Sequence, residues 1–303
     1  MTDSKGVAIV SHDAGGAEIL CNWIACQPDP YLLVLEGPAK SIFERKLGNI
    51  ETLSLEVAIA EAEWVLTGTS WQSDIEIQAI KMARNLGKTS ASFLDHWVNY
   101  RQRFVSDGEL ILPDEIWIGD EDAKNVAINE FPDVKIKLVP NPYFVNVKSR
   151  MEKLGSVRAT NDENNYILYV CSPVREHAKL KYGDELYWGF TEEDAVRYFM
   201  KNANLLNHLT GKIVLRPHPS EEPGKYDWAV KEFSPYTKIG GNIDLLEEIA
   251  GADVVVGFDS MAMVIGLIAG KRVVNALPPG KMINSLPMSG IEKMSDVLRN
   301  KST

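Results

Sequence analysis

Cysteine is scarce in this chain. Cys21, Cys26 and Cys171 are the only three among 303 residues. Their odd count and irregular spacing fit neither a disulfide framework nor a metal-ligand pattern, so reduced thiols and a cytoplasmic setting are expected. Long apolar runs are also lacking. No stretch approaches the ~20 residues of a membrane span, and "MTDSKGVAIVSHDAGG" has no basic start followed by an apolar core. Positive charge is short as well: 32 Lys and Arg face 42 Asp and Glu, for a formal net charge of −10. No basic stripe interrupts this acidity, so nucleic acid is not an expected partner. An anionic small ligand needs only a local positive pocket and stays open. There is no low-complexity tract and no close internal repeat.

Hydrophobic residues make up 45% and charged residues 24%, which is the composition of a soluble globular protein. The length predicts two domains of roughly 150 residues each. Short β-branched runs alternate with helix-like stretches. "GVAIVS" (6–11) reads as a strand, and "AGGAEILCNWIA" (14–25) as a helix with Asp13 at its cap. Further strands are "YLLVLEG" (31–37), "EWVLTG" (63–68), "TSASFLD" (89–95), "EIWIGD" (115–120) and "KIKLVPN" (135–141). "SDIEIQAIKMARNLGK" (73–88) has helical periodicity and stops at Gly87. Continuous apolar strands between amphipathic helices argue for βαβ units and parallel sheets.

The prolines of "VPNPYF" (139–144) break the pattern, and a polar helix and linker follow. The alternation then restarts with strands "YILYVCS" (166–172), "KIVLRPH" (212–218), "YTKIG" (236–240), "ADVVVGF" (252–258) and "KRVVNA" (271–276). The helices between them are "TEEDAVRYFMKNANLLNHL" (191–209), "NIDLLEEIAG" (242–251) and "SMAMVIGLIAG" (260–270). The expected fold is α/β: two tandem Rossmann-like, doubly wound parallel-sheet domains with a cleft between them. The first spans residues 1–141, a linker 142–165, the second 166–285, and a C-terminal helix 286–303.

Ligands of open parallel sheets bind beyond the carboxyl ends of the strands. The first such end carries Asp13 with Gly15 and Gly16, whose missing side chains would let backbone N–H groups approach a ligand. The alternative is a tight turn. After "TSASFL" come Asp95 and His96, a carboxylate and an imidazole able to abstract or relay a proton, with aromatic residues beside them able to stack on a sugar. Ser172 and Arg175 follow the first strand of the second domain and could hold a phosphate. In "RPHPSEEPGKY" a strand delivers Arg216 and His218, with Pro217 and Pro219 stiffening the backbone around the ring. Asp259 and Ser260 open a helix, where the positive end favours an anion. No metal site is expected.

These pieces, in this order, resemble the GT-B glycosyltransferase superfamily over roughly residues 6 to 280. The likeness is to bacterial surface-polysaccharide enzymes with a His-Pro motif, which include sialyl- and Kdo-type transferases and CDP-glycerol glycerophosphotransferases. UDP-GlcNAc 2-epimerases share that architecture. "RPHP" matches the motif at His218 and Pro219, "GFDSMAM" resembles the phosphate loop at Ser260, and "VPNPY" resembles the inter-domain segment. "SFLDHW" stands where relatives carry an acidic or histidine residue facing the acceptor. The resemblance implies a metal-independent transferase without cofactor. Its substrates would be a nucleotide-sugar donor, CMP-linked in the sialyltransferases, and a saccharide or lipid-linked acceptor. It implies work in the cytoplasm or at the inner face of the membrane, with peripheral contact through a loop left open. In this picture Asp95, or else Asp13, is the base, and His218 and Ser260, with Ser172 and Arg175, meet the leaving phosphate. One departure is Ile265-Gly266, where many such enzymes place a ribose-clasping glutamate. Two rival readings remain: a nucleotide-sugar 2-epimerase or hydrolase, and a two-domain binding protein without chemistry.

Overall fold

The computed structural model describes residues 6–27, 29–158, 165–206 and 211–301. The chain divides into two compact units, Met1–Asn146 and Val147–Thr303. In the first unit the strands are β1 (Val7–Ser11), β2 (Tyr31–Leu35), β3 (Trp64–Thr67), β4 (Ser90–Phe93), the hairpin β5 (Val105–Ser106) and β6 (Glu109–Leu110), β7 (Glu115–Ile118) and β8 (Lys135–Leu138). In the second they are β9 (Ile167–Val170), β10 (Ile213–Arg216), β11 (Thr237–Ile239), β12 (Val254–Gly257), β13 (Arg272–Asn275) and β14 (Ile291–Lys293). Helices α1 (Ala14–Ala25), α2 (Gly37–Leu47), α3 (Leu55–Glu61), α4 (Ile75–Asn85) and α5 (Glu121–Glu130) belong to the first unit, and α6 (Pro142–Arg158) contains the division. The second unit adds α7 (Val174–Tyr182), α8 (Glu192–Asn202), α9 (Asp227–Glu232), α10 (Leu245–Gly251), α11 (Met261–Ile268) and α12 (Met294–Lys301).

Each unit is built on a six-stranded sheet, ordered β2-β1-β3-β4-β7-β8 in the first and β11-β10-β9-β12-β13-β14 in the second. Every pairing in these sheets is parallel. This is the expected two-domain α/β architecture. Parallel sheets need cover on both faces, and β1 shows how its sequence supplies it. Val7 and Ile9 join the core on one side with Leu20, Phe43 and Phe93. Ala8 and Val10 join the other with Ile59, Val65 and Ala79. The second unit packs Tyr169, Phe199, Leu215 and Val256 into one core.

Strand order fixes where each sheet reverses. In the second unit it reverses between β9 and β12, giving the order 3-2-1-4-5-6 in that unit's own numbering. In the first it reverses between β1 and β3, and a parallel bridge of Thr52 to Leu33 stands outside β2 where a third strand would pair. The two windings therefore match.

The polar helix expected after "VPNPYF" is α6, which runs to Arg158, while 159–164 lie outside the described residues, as do 207–210 at the end of the helix expected over 191–209. One segment differs from the sequence reading. The tail is not helix alone. Ile291–Lys293 first pairs with Val273–Asn275 as the edge strand, and α12 follows. A three-residue strand with one buried side chain carries no readable alternation.

Candidate functional site

In the first unit the reversal point lies between the turn after β1 and the turn after β3. Asp13 joins them. Its Oδ1 accepts from Ser70 Oγ at 2.7 Å and its Oδ2 from the Trp71 N–H at 2.9 Å. Asp13 sits at the α1 cap position but makes no side-chain cap bond, because its carboxylate is used in these cross-turn contacts. The same Oδ1 lies 2.7 Å from His12 Nδ1. A carboxylate at this distance fixes the Nδ1–H tautomer and leaves Nε2 as the basic nitrogen. That ring edge rests on Gly37, where a Cβ would stand 2.5 Å from Nε2. Glu76, from the first turn of α4, accepts the His12 backbone N–H at 2.8 Å. Burial pushes its carboxyl up to about 7, and the nearby Asp13 charge adds to the shift.

Asp95 enters the same region differently from the sequence expectation. Its Oδ1 receives Arg103 at 2.8 Å, and Thr69 Oγ1 lies 3.4 Å away. Its Oδ2 packs on Gly15, where a Cβ would fall 1.9 Å away. Gly16 packs in turn against Gly68, with a Cβ position 3.2 Å from the Gly68 Cα. The open backbone expected to admit a ligand at Gly15 and Gly16 is thus filled by the protein's own carboxylate and by the β3 turn. His96 Nδ1 accepts the Trp97 N–H at 3.0 Å, and its ring meets that indole edge-on. His12, Ser70 and Glu76 are the residues the sequence reading passed over as functional. The His-Asp pair ahead of two glycines was the available signal, but the partners from 58 and 64 residues away were not visible.

In the second unit the reversal point brings Ser172 to the loop after β12, with its Oγ 3.4 Å from the Phe258 carbonyl. Ser260 caps α11 by accepting the Ala262 N–H at 3.3 Å. Asp259 adopts a left-handed φ of 52° and turns its carboxylate to the Ser285 N–H and hydroxyl. Beside them, after β10, the turn His218–Glu221 closes with a 2.9 Å backbone hydrogen bond and Pro219 at its second position. His218 Nδ1 accepts the Ser220 N–H at 3.2 Å, so the neutral ring carries its proton on Nε2. Desolvation, and next the His177 imidazole 6.3 Å away between centroids, lowers the His218 pKa below the usual histidine value. His218 is therefore a neutral donor at physiological pH. Glu221 holds the turn by accepting the His218 N–H at 2.8 Å and the Tyr226 hydroxyl at 2.7 Å.

The two arginines read as anion grips are held elsewhere. Arg175 pairs with Glu192 at 3.2 Å and Glu193 at 2.6 Å. Arg216 pairs with the buried Glu248 at 2.8 Å and donates to the Ile243 carbonyl at 3.1 Å. Sequence offers no sign of these partners, which come from α8 and α10. Gly266, at the departure noted above, packs on β12 and β13, with a Cβ position 3.1 Å from Val273 and 3.2 Å from Val255. A side chain at this position would press on both valines.

No protein-family model matches the chain, and no curated protein matches it. Solved structures do. UDP-GlcNAc 2-epimerase from Methanocaldococcus jannaschii superposes with a TM-score of 0.62 over 98% of this chain and 92% of that chain, at 12% identity. The Neisseria meningitidis UDP-GlcNAc 2-epimerase bound to UDP-GlcNAc gives 0.59 over 98% and 90%, at 12% identity. The glycotransferase of kitacinnamycin gives 0.57 over 97% and 89%, at 13% identity. The chain shares with them the two-domain α/β fold of GT-B proteins.

Proposed function

We propose that this chain is a nucleotide-sugar-dependent glycosyltransferase of the GT-B fold. The observation that carries the reading is the opposite chemistry of its two reversal points. In the first unit the crevice is occupied by the Asp13 carboxylate, which repels a phosphate, and by Asp95 already paired with Arg103. In the second unit the matching positions hold Ser172 and Ser260, with the α11 N-terminus behind them and the His218 donor after the neighbouring β10. Fixed dipoles of this kind stabilise a leaving nucleotide phosphate without reorganising and without a resident metal. The donor nucleotide is therefore assigned to the second unit and the acceptor to the first.

His12 is the better base. Asp95 is neutralised by Arg103, whereas Asp13 orients His12 and stabilises the imidazolium that forms when Nε2 takes the acceptor proton. The likeness to 2-epimerases, one of them bound to UDP-GlcNAc, keeps a second reading in play: epimerisation or hydrolysis of a nucleotide sugar. Product analysis separates the two, since free sugar or epimer released without an acceptor supports the second.

The test begins with thermal shifts against CMP, CDP, UDP and GDP, followed by transfer assays with the matching sugars, with and without EDTA. His218→Ala is expected to lower turnover by about 10²–10³-fold, with the unfolding midpoint unchanged. A fully active variant would remove His218 from the mechanism. No response to any nucleotide refutes both enzyme readings.

A further inference from the structure

The sequence reading passed over Trp71, in the turn after β3. The residue is 52% exposed, although the indole is the largest apolar group a protein has. The turn that carries it is fixed. The Trp71 N–H donates to Asp13 Oδ2 at 2.9 Å, and Ser70 Oγ donates to the same carboxylate. The Arg103 guanidinium lies 5.2 Å from the ring centroid. Arg103 is itself buried and tied to Asp95 and Thr69, both at 2.8 Å. The indole therefore lies against an anchored cation while the residue stays half exposed. The ring is held, and the Trp71 backbone N–H shares the Asp13 carboxylate with the imidazole assigned above as base.

The charge around the turn narrows what it can bind. The described contacts bring Asp13, Glu36, Glu76 and Asp95 to this region, with Glu36 reached through Ser73 Oγ at 3.4 Å. Arg103 is the cation set against them, and Asp95 already neutralises it. Asp95 is paired and Glu76 is buried, so an anionic sugar would meet the carboxylates of Asp13 and Glu36. A neutral pyranose offers an apolar C–H face to the indole and hydroxyls to Asp13 and His12.

We propose that Trp71 is the stacking platform for the acceptor and that the acceptor ring placed there is a neutral saccharide. The assignment rests on the transferase reading for the word acceptor; the platform itself does not. Trp71→Ala is expected to raise the KM for a neutral saccharide acceptor about tenfold, with nucleotide affinity unchanged, while Trp71→Phe retains most of the wild-type value. In parallel, cellobiose and N,N′-diacetylchitobiose should shift the indole N–H resonance that is missing from the Trp71→Phe spectrum, and digalacturonate should not. An unchanged acceptor KM in Trp71→Ala overturns the proposal, as does a resonance that responds to digalacturonate alone. If the wild-type protein transfers no sugar at all, the transferase reading falls. The resonance then decides the platform, and silence with both neutral disaccharides overturns it.

Discussion

Replacing Glu76 with Gln tests the buried carboxyl that supports the His12 turn. Glu76 is 3% exposed, its Oε1 accepts the His12 N–H, and its Oε2 is buried with no hydrogen-bond partner among the described residues. Burial raises its pKa from 4.5 to about 7. Ionising it in the folded chain therefore costs about 3 kcal/mol more than in the unfolded chain. The native state holds the extra proton between those two values. Stability from this group is thus fully present below about pH 4, falls as pH rises, and is lost above the folded pKa of about 7. Glutamine cannot ionise but can still accept from His12. The wild-type minus variant difference in unfolding free energy should therefore change by about 3 kcal/mol between about pH 4 and about pH 8. Urea titrations followed by tryptophan fluorescence would measure it, because Trp23, Trp64 and Trp117 pack with centroids 5.8–5.9 Å apart in the first unit's core. Parallel pH profiles for the two proteins would refute the reasoning, since then the carboxylate is accommodated charged.

Two further predictions concern local geometry. Gly37 has a φ of 48° and no room for a Cβ beside His12 Nε2, so Gly37→Ala should cost about 1–2 kcal/mol in denaturant titrations. It should also reduce turnover by displacing the imidazole; normal activity would show that Nε2 is not the basic atom. Among the thiols, exposed Cys26 should react with a disulfide reagent in the native protein. Buried Cys21, whose pKa desolvation raises to about 11, and buried Cys171, raised further, should react only on unfolding. Three equally fast thiols would contradict that burial.

Much of the fold was legible because buried parallel strands are written as unbroken apolar runs. "GVAIVS", "YILYVCS" and "ADVVVGF" each fall on a central strand that is buried throughout. The edge strand β14 was not legible, although β2, β8 and β11 at the other edges were. Ile291–Lys293 has one buried residue and two charges, and the bridge at Thr52 is a single pairing. The site divides in the same way. Strand ends could be located from sequence, and Asp13, His218 and Ser260 do stand just after β1, β10 and β12. What each side chain touches depends on residues brought in by the winding. Arg175 and Arg216 have carboxylate partners 17 and 32 positions away, and Asp95 lies over a helix start 80 positions earlier. No local pattern distinguishes an arginine with such a partner from one waiting for a phosphate.

The edge strand β14 also bears on how the chain survives its own synthesis. Until residues 291–293 arrive, β13 is the border of the sheet, and "RVVN" presents unpaired backbone beside two adjacent valines. Such a border recruits other chains. Once β14 docks, the sheet ends instead in Glu292 and Lys293, and Glu292 is clamped by Arg272 at 2.8 and 2.9 Å. A three-residue charged segment adds little to the core, yet it caps a surface prone to aggregation. Nascent chains stalled between β13 and β14 would be the ones most in need of a chaperone.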